Sequence, residues 1–200
     1  MIENRHIRHY GRARGAQGMS LVEIMLTITI LAILLAMAAP SVTSIVQNSR
    51  IRSQAGDMMA NLAIARAEAV KRGVYVSLCP SSNWNVTPPS CTTGALTTSW
   101  NQGYIVFADA NKDGNVDPGD TLIAVVEPFP GSALGTPPNA FTSSGFTNTP
   151  VNVLQFRPSG AANLPANGTF ALCDTRSGPW GRTITISPTG RATSATRTCP

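Results

Sequence analysis

Histidine is all but missing from this 200-residue chain: His6 and His9 are the only two, and both precede residue 18. Nothing after them offers an imidazole, the side chain most often used to move protons at neutral pH. No glycine-rich loop follows a candidate strand to cradle a phosphate. No Cys-x-x-Cys pair occurs, so a four-thiolate metal site lacks its usual spacing. There is no internal repeat. These absences argue against an enzyme and against a zinc module. Charge is missing too, from one long run: between Leu21 and Ala39 only Glu23 is ionisable.

That run is what the chain has in place of catalytic residues. Its nineteen residues, wound as a helix, reach about 28 Å, enough to cross the hydrocarbon core of a bilayer. Ahead of it Arg5, Arg8, Arg12 and Arg14 outnumber Glu3, an excess that holds the N-terminus in the cytoplasm. A secretory signal would have a shorter apolar core with its small-residue cleavage site after it. Here the small residue, Gly18, comes before the run, so cleavage there leaves the helix on the chain. Glu23 then needs a reason, because a carboxylate near the end of a membrane helix is costly without a partner. A cut after Gly18 makes the α-amino group of Met19 that partner. In an assembly of packed helices, Glu23 of one subunit meets the amine of its neighbour and sets the axial register. The alternative is a solvated Glu23 at headgroup level.

The net charge of +5 misleads. Residues 1–18 supply +3 of it, leaving +2 on the rest, so no general basic character follows. The distribution is uneven, however. From Phe170 onward Arg176, Arg182, Arg191 and Arg197 face Asp174 alone. With Trp180 nearby and Cys199 anchoring the tail, these arginines could contact nucleic-acid phosphates. Their scatter along the tail also fits an ordinary solvated surface.

Beyond Pro40 the helical pattern continues. Ile51, Ala55, Met58, Leu62, Ala65 and Ala69 recur at steps of three and four, one apolar stripe. Met58 and Met59 read as core filling. Glu68 and Arg72 form an i, i+4 pair, Lys71 and Arg72 suit the negative end of the helix dipole, and Gly73 is a natural cap. The helix is therefore expected from about Ser20 to Arg72. Strands are expected at Val74–Cys79, Tyr104–Ala108, Thr121–Glu127, Val151–Phe156, Thr169–Cys173 and Thr183–Ser187, each rich in Val, Ile, Thr or aromatics. Residues 109–120 join two of them as a hairpin, and residues 128–150, rich in Pro, Gly, Ser and Thr, read as an exposed connection.

Cys79, Cys91, Cys173 and Cys199 all follow the apolar helix, and an even count in an exported domain points to two disulfides. Three pairings are open; nearness favours Cys79 with Cys91, leaving Cys173 with Cys199. The segment between two expected strands carries Asp109, Asn111, Asp113, Asn115, Asp117 and Asp120 with Gly114 among them. That is the ligand spacing of a calcium loop, and calcium is the one cofactor the chain suggests. A plain turn, which favours the same residues, is the alternative.

The junction Gly18-Met19-Ser20-Leu21-Val22-Glu23, its apolar run and Pro40 together resemble the class III leader of type IV pilins and type II secretion pseudopilins. The resemblance implies that a prepilin peptidase cuts after Gly18 and methylates Met19. It also implies that Glu23 governs assembly and that Pro40 kinks the helix. Further along, Cys79-Pro80-Ser81-Ser82, Cys91, Trp100 and Gly103-Tyr104-Ile105-Val106-Phe107 with Asp109 and Asn111 are similar to the GspH/FimT branch. So is Trp180-Gly181-Arg182-Thr183-Ile184-Thr185-Ile186-Ser187-Pro188-Thr189-Gly190-Arg191.

That branch implies an α+β fold, a long N-terminal membrane-spanning helix packed on a C-terminal domain of two antiparallel β-sheets. The division it implies is a leader at 1–18, a membrane and filament-core helix at 19–40, its amphipathic continuation at 41–73 and a periplasmic β domain at 74–200. A single pass through the bacterial inner membrane, N-terminus in the cytoplasm, goes with it. The implied partners are other pilins or pseudopilins, the prepilin peptidase and the inner-membrane assembly platform. FimT-like pilins are linked to DNA capture through Gly-Arg-x-Arg; here the stretch reads Gly190-Arg191-Ala192-Thr193. The expected function is that of a minor pilin in a type IV pilus, the alternative a tip subunit of a type II secretion pseudopilus.

Overall fold

In a computed structural model, described over residues 19–92, 100–129, 142–143 and 153–200, one helix precedes all the strands. Helix α1 spans Leu21–Arg72 and runs through Pro40 without a break. The leader, including Gly18, lies outside the described residues, as do the side chains of 37–41. By its contacts the chain divides into two units, Met1–Thr43 and Ser44–Pro200.

In the first unit the carbonyl of Ser20 accepts the N–H groups of Glu23 and Ile24 at 3.0 and 3.2 Å, so Ser20 is the cap that starts the helix. Glu23 occupies the first turn, where a carboxylate complements the positive end of the helix dipole. Every described side chain from Leu21 to Ala36 is exposed. The two hydroxyls within this apolar stretch are closed on the helix itself. Thr27 Oγ1 donates to the Ile24 carbonyl at 2.8 Å and Thr29 Oγ1 to that of Met25 at 2.7 Å. Among the described residues no helix is long and apolar enough to cross a membrane. The apolar run counted on the sequence ends among residues 37–41, whose side chains are not described.

The second unit begins where the helix acquires a buried face. Ile51, Ala55, Met58, Leu62, Ala65 and Ala69 are all at most 4% exposed and pack into one core with residues of two sheets. The first sheet takes β1 (Tyr75–Pro80), β2 (Tyr104–Asp109), β3 (Thr121–Val126) and β5 (Leu154–Phe156) in the order β3-β2-β1-β5. The second takes β4 (Thr142–Ser143), β6 (Gly168–Cys173), β7 (Gly178–Ile186) and β8 (Ala192–Cys199) in the order β4-β6-β7-β8. All pairings are antiparallel. This is the α+β arrangement of a long helix and two antiparallel sheets.

Strand β2 explains why the first sheet is buried on both faces. Tyr104 and Val106 join the core against the helix, whereas Ile105 and Phe107 point the other way into a smaller cluster with Cys79 and Val153. The period of two of a strand makes that division. The Cys79–Cys91 disulfide borders the smaller cluster.

Four strands differ from the sequence expectation. Strand β8 went unforeseen because Ala192-Thr-Ser-Ala-Thr-Arg-Thr-Cys199 has no apolar alternation; it is an edge strand, exposed from Thr193 to Thr198. Strand β7 begins at Gly178 rather than Thr183, its register shifted between Gly178 and Gly181. The expected strand Val151–Phe156 is described only as Leu154–Phe156, and residues 151–152 lie outside the described set. Of the expected connection 128–150, Thr142–Ser143 form β4, and residues 130–141 and 144–150 are outside it.

Candidate functional site

The acidic loop between β2 and β3 is held by its own carboxylates. Asp109, fully buried at the end of β2, accepts hydrogen bonds through Oδ2 from Ser77 Oγ (2.7 Å), Gly114 N–H (3.0 Å) and Gln155 Nε2 (3.0 Å). Its Oδ1 accepts from Lys112 N–H at 2.6 Å. One side chain thus ties β1, β2 and β5 to the loop. The remaining acids do the same on a smaller scale. Asp113 accepts from Asn115 N–H at 2.8 Å, and that bond is the main cause holding its carboxyl below the ordinary carboxylate value. Asn111 Nδ2 donates to Asp113 and Asp117, each at 3.0 Å. Asp120 accepts from Ala110 and Asp117 N–H groups, each at 2.9 Å.

A cation entering this loop would have to compete with those donors. Among the described residues no group of three or more His, Cys, Asp or Glu is placed to hold a metal ion. The chemistry visible here is that of a turn locked by side-chain-to-backbone bonds.

The arginine-bearing strands are built around a second disulfide. Cys173 at the end of β6 is bonded to Cys199 at the end of β8, and these strands flank β7. Gly181 of β7 lies under that bond. A Cβ at position 181 would overlap Cys199 Sγ and come within 2.9 Å of the Leu172 carbonyl. Only glycine leaves room for the bridge. A glycine in mid-strand is itself a sign of close approach, and that was the signal available in Trp180-Gly181-Arg182. At the other end of the hairpin, Gly190 has φ +79° and its N–H meets the Ser187 carbonyl at 2.8 Å. A Cβ there would overlap the Gly160 carbonyl oxygen, so this glycine too is structural.

The four tail arginines are not gathered on one surface. Arg176 is engaged: it pairs with Asp174 at 2.6 Å, donates to Asn48 Oδ1 at 3.0 Å and lies 5.2 Å from the Trp180 ring centre. Arg182 lies opposite Thr196 and Arg197 opposite Gly181, adjacent rungs of the ladder, so the two side chains leave opposite faces of the sheet. Arg182 borders a small cleft with Asn48, Arg52, Trp180 and Thr196. Arg191, at the hairpin turn, borders a groove of about 590 Å³ floored by Met59, Leu62 and Val70 of the helix.

Residues 54–190 match the family model described as "Type II transport protein GspH", and residues 13–39 match the "Prokaryotic N-terminal methylation motif". No match was found among curated proteins. Two crystal structures of the type IV minor pilin FimU from Pseudomonas aeruginosa PAO1 resemble the chain. One, in space group P21, has a TM-score of 0.50 at 20% identity, over 76% of this chain and 90% of that one. The other, in space group P65, has a TM-score of 0.49 at 21% identity, over 72% and 91%. At that identity the first likeness is one of fold.

Proposed function

The chain belongs to the type II transport protein GspH family and is a pilin-like structural subunit whose methylation motif marks a prepilin-type membrane anchor; from that premise we propose that it serves as a minor pilin of a type IV pilus. One observation carries the reading: the methylation motif and the GspH match lie in succession along one chain, and the described helix α1 is exposed and apolar at its start and buried from Ile51 to Ala69. Prepilin peptidase cuts after Gly18 and methylates Met19. Glu23 then pairs with the Met19 amine of a neighbouring subunit during assembly on the inner-membrane platform, and Pro40 lets the helix bend. The β domain lies in the periplasm, an oxidising compartment in which both disulfides persist.

A crosslinked pull-down of the full chain from its own host tests the machine. Pilus subunits and pilus platform proteins are the expected partners. Recovery of secretion pseudopilins instead makes the chain a tip subunit of a type II secretion pseudopilus, the second reading, which the family's own description favours. Gly18→Ala is expected to leave a longer, unprocessed precursor on a gel, and normal processing would remove the cleavage assignment.

DNA capture through Arg176, Arg182, Arg191 and Arg197 draws less support. Arg176 is held by Asp174 and Asn48, and the side chains of Arg182 and Arg197 leave opposite faces. A steep loss of DNA binding with rising salt, measured on the full chain, would restore it.

A further inference from the structure

Strand β8 is a sheet edge of eight residues without a proline, and among the described residues nothing pairs with its outer side. Folded proteins usually cover, shorten or charge such an edge, because its free N–H and C=O groups template another strand. Which groups are free follows from the hairpin. Ser187 N–H donates to the Arg191 carbonyl at 2.9 Å, so Arg191 faces β7. By the alternation of an antiparallel ladder Thr193, Ala195 and Arg197 also face β7. The backbone groups of Ala192, Ser194, Thr196 and Thr198 therefore point outward.

The ground beside this edge is shaped and charged. The 590 Å³ groove lies between the start of β8 and helix α1, with an apolar floor of Met59, Leu62, Ala63 and Val70. A smaller cleft of about 120 Å³ lies near Thr196, beside Arg52 and Arg182. Arg66, Lys71 and Arg191 border the groove, and neither lining contains a carboxylate. Arg191 and Arg197 have no side-chain partner among the described residues.

We propose that β8 accepts an extended, acidic segment of another polypeptide as an added antiparallel strand. Its alternate apolar side chains enter the groove beside the helix, and its carboxylates, leaving the strand's other face, meet Arg197 and, at the rim of the groove, Arg191. A second copy of β8 fits less well, because it would bring Arg191 and Arg197 against their own like charges. Nucleic acid fits less well too, since the groove floor is apolar. The proposal rests on the subunit reading above and specifies how this domain would meet one of its neighbours; main-chain bonds supply attachment, and the groove supplies selection.

The test uses the isotopically labelled full chain in detergent micelles, titrated with an end-blocked octapeptide of alternating valine and aspartate. The amides of Ser194 and Thr196 are expected to shift and to gain protection from exchange, while those of Thr193 and Ala195 are protected beforehand. The valine–lysine counterpart should bind at least about tenfold more weakly. Ser194→Pro removes an outward donor and leaves the ladder to β7 intact, so it should abolish binding at an unchanged melting temperature. If that variant fails to fold, an aspartate peptide N-methylated on alternate residues should fail to bind the wild-type chain. Unmoved amides, equal binding of both peptides, or binding that survives either block would overturn the proposal. So would a dimer abolished by Ser194→Pro, which makes a second copy the occupant, or a duplex oligonucleotide that shifts the same amides and displaces the peptide. The subunit reading fails by another readout, normal filaments in cells lacking the chain, on which peptide binding does not depend.

Discussion

The two parts of helix α1 share one secondary structure and opposite surroundings. From Leu21 to Ala36 every described side chain is exposed, apolar ones included; from Ile51 to Ala69 a stripe of six is buried to 4% exposure or less. Among the described residues the first part has no partner for that apolar surface. It is built for a different solvent or for other helices, and its threonine hydroxyls are closed on the backbone accordingly. The second part is an ordinary amphipathic helix under a folded domain. The lesson is one of division: changes in the first part should act on assembly, and changes in the second on domain stability.

The largest break in that division is expected from Glu23. Glu23→Ala should abolish incorporation into filaments, read by immunoblot of sheared filaments, with the melting temperature of the domain unchanged. Next is Gly181→Val, which forces a side chain into the Cys173–Cys199 bridge; a loss of about 3 kcal/mol or more is expected by chemical denaturation, with free thiols appearing on titration. Leu62→Ala should cost about 2–5 kcal/mol, whereas Leu31→Ala should leave the domain's melting within about 0.5 kcal/mol of wild type.

Asp109→Asn weakens bonds from β2 to two other strands, β1 and β5, and to the loop. It should cost about 1–3 kcal/mol with or without calcium. A calcium-dependent rise in melting temperature that vanishes in this variant would make the loop a cation site instead.

The smallest effect is at Glu68, where the hydrogen bond from Arg72 is the main cause holding the carboxyl below its ordinary value of 4.5. A depressed folded-state value stabilises above the unfolded pKa, and that stability disappears as pH falls from 4.5 through the folded value. Acid titration of the melting temperature should show a slight loss in that window, absent in Glu68→Gln.

The helix was legible because two one-dimensional signals agree: an uncharged run of membrane length, then a stripe of period 3.6 that ends at Lys71, Arg72 and Gly73. The strands with Val, Ile and aromatic residues were legible for a similar reason, each packing at least one face on the core, though β3 only half-buries its own. Strand β8 was not, because an exposed edge needs no apolar residue and Thr193 to Thr198 supply none. Nearness favours the Cys79–Cys91 bond, which is present; no sequence pattern shows that the other bond crosses over Gly181. The acidic loop was legible only in its composition. Its spacing suggests ligands turned toward a cation, and spacing alone cannot show that Ser77 and Gln155 arrive from β1 and β5 to occupy Asp109.

Sequence alone therefore determined what depends on neighbours along the chain: the apolar run, the methylation motif, the capped helix and the expectation of a disulfide-bearing domain. Tertiary structure alone decided what depends on residues far apart: the burial of Asp109, the need for glycine at 181 and 190, the scattering of the arginines and the free edge of β8. Helical periodicity and charge can be read in one dimension. Which strand ends at an edge, and which carboxylate faces which donor, are set only when segments separated by tens of residues pack together.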